Sequence, residues 1–225
     1  MTIVKTVKEV VAKQLKSTRP HVTVRGNEVT YADDLSKWIH LRRSVSHESG
    51  GLLPDPIDKK DVETILEAAH WAPNHGRTEP WRFVVFTGEG RKELGEIFAA
   101  SYKVGYHLSP KNKVYSAERE EFMRDQVWNV PVWISLGMQP DPNRPEWEEL
   151  AAVSCAVQNA WLTATSLGLN TFWASGVAAT HENTARALGL EPPGKVLGFL
   201  YLAKHKGKQP KGSRTSWRKK VVWKE

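Results

Sequence analysis

The stretch Trp147–Leu167 constrains the fold of this 225-residue chain more than any other. It is rich in alanine and apolar on nearly every side, and Gly168 closes it. A helix apolar all round has no solvent face to spare, so it lies at the centre of a fold or in an interface. Around it, strand and helix signals alternate. Asp58 is placed to cap a helix with Val62, Ile65, Leu66, Ala68 and Ala69 on its apolar face, and Pro73 ends it. Arg82–Thr87, Val130–Gly137, Thr171–Trp173 and Lys195–Ala203 are β-branched or aromatic runs and read as buried strands. Arg91–Tyr102 reads as a helix, Gly105–Arg124 is polar without a clear period and reads as helix and mobile loop, and Thr180 is placed to cap a short helix ending near Gly189. The alternation predicts a mixed sheet with helices packed on both sides.

The two ends read differently from the body. Residues 1–34 form an arm. Ile3, Val4, Val7, Val10, Val11 and Leu15 recur at helical spacing among lysines, which predicts an amphipathic helix over Thr2–Leu15 that packs on the body or on a partner. Arg19-Pro20 breaks it, and Asp34 is placed to cap the first helix of the body. Residues 35–203 are the body. Residues 204–225 are a basic tail ending in Val221, Val222 and Trp223, apolar residues that need a surface such as a partner subunit supplies.

Composition excludes several classes. No apolar run approaches the roughly 18 residues of a membrane span. A single cysteine rules out an internal disulfide and a cysteine-rich metal cage, and Cys155, set in an apolar helical pattern, reads as a buried core thiol. A reducing, cytoplasmic setting fits. The net charge of +7 has its excess at the two ends, as in solvated arms. No zinc finger, recognition-helix signature or RNA-binding aromatic motif accompanies it, so nucleic acid is not the expected partner. The eight histidines are scattered without metal-ligand spacing, and no metal site is expected.

Four segments carry donors for a ligand. Arg42-Arg43-Ser44 puts two guanidinium groups and a hydroxyl at one spot, enough to hold a phosphate; a solvated basic helix end is the plainer reading. Trp71-Ala72-Pro73-Asn74-His75-Gly76-Arg77-Thr78-Glu79-Pro80-Trp81 joins a helix to a strand through a polar loop, where ligands bind in layered folds; a capped turn explains it equally well. Trp173-Ala174-Ser175-Gly176 ends a strand in small residues that let a flat ligand approach the backbone. Lys211–Arg218 offers an arginine able to reach the same phosphate as Arg42, with a basic solvated tail as the alternative. The glycine fingerprint of a dinucleotide fold, the phosphate loop, the Gly-x-Ser-x-Gly elbow and His-Glu-x-x-His do not occur.

In this order, the segments resemble the nitroreductase family. The resemblance rests on Arg42-Arg43-Ser44, Pro54-x-Pro56-Ile57, Ala68-Ala69-x-Trp71-Ala72-Pro73 with Pro80-Trp81-x-Phe83, and Gly168-Leu169 leading to Trp173. It runs from about Leu35 to Ala203, and the loop with His75 looks most like the small bacterial NAD(P)H nitroreductase branch. The resemblance implies an α+β fold, a three-layer α/β/α sandwich, assembled as a homodimer with FMN at the subunit interface. It implies a ping-pong reaction in which NAD(P)H donates a hydride and a small acceptor, a nitroaromatic or quinone, is reduced. Carried over by position, Arg42 and Ser44 hold the phosphate with Arg43 beside it. Trp71, His75 and Arg77 lie in the flavin-proximal loop, which one subunit can donate to the other. Trp173, Ala174 and Ser175 line the ring, and Arg214 is a C-terminal phosphate contact. Because the cofactor carries the chemistry, no protein acid or base is assigned. Two departures stand out: Arg77 where the family commonly has asparagine, and Glu79 where it has glutamine. They leave open another reaction on the same fold, such as reductive dehalogenation or dehydrogenation, or flavin binding with little turnover.

Overall fold

The computed structural model describes residues 21–24, 27–30, 32–109, 113–207 and 210–225, so the helix expected over Thr2–Leu15 lies outside the described residues. The chain divides into two units between Leu41 and Arg42. In the first, β1 (His21–Val24) and β2 (Asn27–Thr30) pair antiparallel, with Val22 opposite Val29, and α1 (Ala32–Leu41) follows. The helix begins two residues ahead of Asp34. It belongs with the hairpin to the first unit.

The second unit contains β3 (Leu52–Leu53), α2 (Lys59–His70), β4 (Trp81–Arg82), β5 (Val85–Thr87), α3 (Gly90–Gly105), α4 (Ala117–Asp125) and β6 (Val132–Met138). There follow α5 (Glu146–Ser166), β7 (Asn170–Ala174), α6 (Val177–Thr180), α7 (Glu182–Ala187) and β8 (Lys195–His205). β6 and β8 pair antiparallel at the centre of the sheet; β4 and β5 flank β6, and β7 and β3 pair with β8. A parallel bridge from Ser44 to Thr171 makes the sheet mixed.

All seven residues of β6 are buried, as in a strand covered on both faces. Alternation sorts them. Val132, Ile134, Leu136 and Met138, with Leu200 and Leu202, pack against Val62, Ile65 and Ala69 of α2 and the Ala152–Ala164 stretch of α5. Trp133, Phe199 and Tyr201 face the other way, onto Leu94, Phe98 and Tyr102 of α3 and the alanines of α6 and α7. The architecture is the expected α+β, three-layer sandwich.

Local chemistry explains where the elements depart from expectation. The single strand read over Arg82–Thr87 is two, because the Ser135 side chain interrupts the ladder: Val84 N donates to Ser135 Oγ at 2.8 Å while Ser135 N donates to Val84 O at 2.8 Å. The polar stretch before Val130 contains α4, whose N-cap Ser116 accepts from Arg119 N. His181, not Thr180, caps α7; its Nδ1 accepts from Asn183 N. Cys155 is exposed, correcting the buried thiol read from the sequence. A helix apolar on every side does not reveal which stripe meets the sheet, and here Ala152, Val153, Ala156 and Val157 do, leaving Cys155 outward.

Candidate cofactor site

Opposite ends of the second unit meet at the first part of the site. Arg42 lays its guanidinium on the Trp161 ring of α5, 4.7 Å from the centroid. Arg43 donates through Nε to Pro210 O at 2.9 Å, tying the tail to the start of the unit, and Gly212 packs so closely on Arg43 that a Cβ there would lie 2.4 Å from its Cζ. The tail then delivers Arg214 beside Arg42. The pKa of Arg42 is below its ordinary value, first through burial and then through the like charges of Arg214 and Arg43. No carboxylate ion-pairs with Arg42 or Arg214 among the described residues. Cations held together against their repulsion form an anion site, and guanidinium forks suit a phosphate. Ser44 is exposed beside them, and Val45 N donates to Thr171 O at 3.0 Å, which lays the segment along β7.

From Thr171, β7 leads away from this pole; four residues of extended chain cover about 13 Å. Its end carries Trp173, Ala174 and Ser175. β8 has an extra residue here: between Ser135 and Gly137 of β6 there are two steps, but between Phe199 and Val196 there are three. The bulge is taken up at Gly198, with φ +132°. Trp173 tucks its indole over that glycine and donates to Leu197 O at 2.8 Å. The indole is thus committed to packing. Ala174 and Gly176 instead line a cavity of about 430 Å³ between β7, α3 and α4. Its walls include Phe98, Tyr102, Met123 and Trp133, with Arg119 and Gln126 as polar groups.

Sequence reasoning missed two residues beside this region. Arg119, which lies over the Phe122 ring at 4.4 Å, was hidden in a stretch without helical period. His47 reads from sequence as a surface or capping histidine, yet its ring sits near those of Phe122 and Tyr201 and its backbone N donates to Tyr201 Oη at 2.7 Å. Burial lowers its pKa, against smaller opposing effects of Glu48 and Gln126. Tyr201 is pushed up to about 12, mainly by burial. The signal available was the alternation at Ser44-Val45-Ser46, which marks an extended segment with Val45 turned inward.

The loop His75–Arg77 and its neighbours sit elsewhere. Trp71 is 76% exposed. Gly76, Arg77 and Glu79 all have left-handed backbone, φ 73°, 58° and 46°. For the two non-glycine residues that strain is of order 1–3 kcal/mol each. His75 Nδ1 meets Glu148 at 2.5 Å and its Nε2 meets Arg144 Nη1 at 3.2 Å. Because arginine only donates, Nε2 accepts and the proton lies on Nδ1. Within α5, Glu148 and Trp161 are about 20 Å apart along the axis. A single chain therefore assembles Arg42, Arg43, Ser44 and Arg214, continues through β7 to Ala174 and Ser175, and holds His75 at the far end of α5 from that pole.

A family model described as the nitroreductase family matches residues 42–204. The Escherichia coli (strain K12) protein YdjA, provisionally named an NAD(P)H nitroreductase, is 27% identical over 165 residues, covering 72% of this chain and 86% of its own. The crystal structure of a nitroreductase-like family protein from Bacillus cereus superposes with a TM-score of 0.72 at 28% identity, covering 88% of this chain and 99% of its own. The FMN and NADPH-dependent nitroreductase NfnB from Sphigopyxis sp. strain HMH shares the fold, with a TM-score of 0.63 at 18% identity over 86% of this chain and 100% of its own.

Proposed function

Because the chain belongs to the nitroreductase family, we propose that it is an FMN-dependent oxidoreductase, active as a homodimer, that takes a hydride from NAD(P)H and passes it to a nitroaromatic, quinone or related small acceptor. The observation that carries the reading is the convergence of Arg42, Arg43 and Arg214 beside Ser44, with strand β7 running from that pole to an aromatic cavity. A dianionic phosphate offsets the mutual repulsion of the three guanidinium groups, and a flat ring system fits beside small residues. When bound, FMN supplies the two-electron chemistry, accepting a hydride and returning it.

The chain's own residues bind and orient. Arg42, Arg43, Ser44 and Arg214 hold the phosphate, and Trp161 fixes Arg42 from below. Ala174 and Ser175 give the ring close access to backbone, with Trp173 locking the strand end through Leu197. A second copy supports the remainder: the loop with Trp71, His75 and Arg77 lies at the far end of α5 and serves the partner's cofactor. Exposed Trp71, Trp147, Leu150, Trp217 and Trp223 provide apolar surface for such an interface.

The test is the absorbance spectrum of the purified protein before and after anaerobic NADPH or NADH. A flavin spectrum that bleaches with either donor supports the reading and identifies the donor. A colourless protein that does not take up added FMN refutes it.

A further inference from the structure

Two of the contacts that hold the loop of residues 74–79 come from the start of α5, through Glu148 and Glu149. Glu149 is completely buried, and its two oxygens each take a donor: Thr78 Oγ1 at 2.8 Å and Asp141 N at 3.1 Å. Removing a carboxylate from water is unfavourable unless such donors replace it. Thr78 itself has ordinary helical backbone but stands between Arg77 and Glu79, both left-handed. One anchored hydroxyl therefore clamps two strained neighbours. The rest of the loop is held alike: His75 by Glu148 and Arg144, Glu79 N by Asn74 Oδ1 at 3.2 Å, and Gly76 by the Arg144 guanidinium, which leaves no room for a Cβ. Arg77 is the exception. Its exposed side chain makes no hydrogen bond or ion pair among the described residues.

We propose that Glu149, acting through Thr78, is a positioning residue that fixes the left-handed backbone of Arg77 and so aims its guanidinium at the flavin held by the partner subunit. This rests on the proposed FMN reading. A cation held near the ring favours the more negative, reduced form of the cofactor by charge attraction. Thr78 is then a determinant of redox potential although it does not touch the ring, and its effect runs wholly through Arg77.

The experiment uses the FMN-loaded dimer with Thr78→Val, Thr78→Ser, Arg77→Ala and the Thr78→Val/Arg77→Ala double variant. Thr78→Val keeps the shape and removes the hydroxyl. It is expected to shift the reduction equilibrium about tenfold toward oxidised flavin, roughly 30 mV for a two-electron couple. Thr78→Ser is expected to restore it, and the double variant to match Arg77→Ala alone, since groups acting in series are not additive. In apoprotein, trypsin is expected to cut after Arg77 faster in Thr78→Val than in the parent chain. A Thr78→Val shift that persists undiminished in the Arg77→Ala background, or no shift with unchanged cleavage, overturns the proposal. If Arg77→Ala leaves the potential of a yellow dimer unchanged while Thr78→Val still speeds cleavage, the latch exists but the loop does not face the flavin. That result overturns the placement of Arg77 without touching the phosphate site. A colourless parent protein instead removes the FMN reading itself.

Discussion

Replacing Arg214 by alanine tests the arginine pole cleanly, because Arg214 reaches the site from the tail whereas Arg42 also packs on Trp161. A hydrogen bond to a charged group contributes about 1.5–3 kcal/mol. At about 1.4 kcal/mol per decade, the Kd for FMN is expected to rise roughly 10- to 150-fold. Riboflavin has the same ring and no phosphate, so its affinity is expected to stay within about twofold, a free-energy change well below that of a single typical hydrogen bond. The same substitution removes a like charge that depresses the Arg42 pKa, so the apoprotein is expected to melt no lower than the parent while the FMN-loaded protein does. Quenching of flavin fluorescence on titration reads both ligands. Raising the salt is expected to weaken FMN binding in the parent more than in the variant. If riboflavin and FMN lose affinity equally, the three arginines are not a phosphate site and the orientation of cofactor along β7 is wrong.

Three further outcomes are expected. Gly198→Ala places a Cβ 2.4 Å from Ala174 O and 2.6 Å from Trp173 Nε1 at a φ of +132°. A loss of about 3 kcal/mol from overpacking and backbone strain is expected, and calorimetry should show melting lowered by roughly 6–12 °C; a drop below about 2 °C would mean that the bulge relaxes freely. Tyr201 has a folded pKa of about 12 against 10.0 ordinarily, so the unfolded chain loses its proton first. Its stabilising contribution is intact below pH 10 and lost as pH rises from 10 to 12, a loss of about 2–3 kcal/mol. Denaturant titrations of Tyr201→Phe across that window should show a shallower decline, and an identical slope would contradict it. Trp147→Glu, on the exposed apolar stripe of α5, is expected to shift the protein from dimer to monomer on sedimentation and to lower FMN retention; an unchanged dimer places the interface elsewhere.

Much of the fold was legible because burial leaves a period. The mostly apolar run of β6 and the near-continuous run of β8 identify strands covered on both faces, and the all-round apolar helix identifies α5 as central. Position in the chain also marked Arg42, Ser44 and Arg214 as donors. Local pattern could not show their meeting, since 170 residues separate Arg214 from Ser44; only the family resemblance implied it, and in the structure the tail docks on Arg43. Cys155 was misplaced for a related reason: helical period gives faces, but the choice of inward face belongs to the sheet it packs on.

The amino-acid sequence by itself determined most of the elements, the order of the site segments and the chemistry of their side chains, because these follow from local propensity and residue type. The tertiary structure decided which groups share a space. It brought three cations together against their repulsion, turned the Trp173 indole onto Gly198, put Arg119 on the cavity wall and His47 against Tyr201, and fixed a left-handed loop on a buried carboxylate. Those arrangements depend on long-range packing strong enough to oppose local preference, and local preference is all that a short stretch of sequence records.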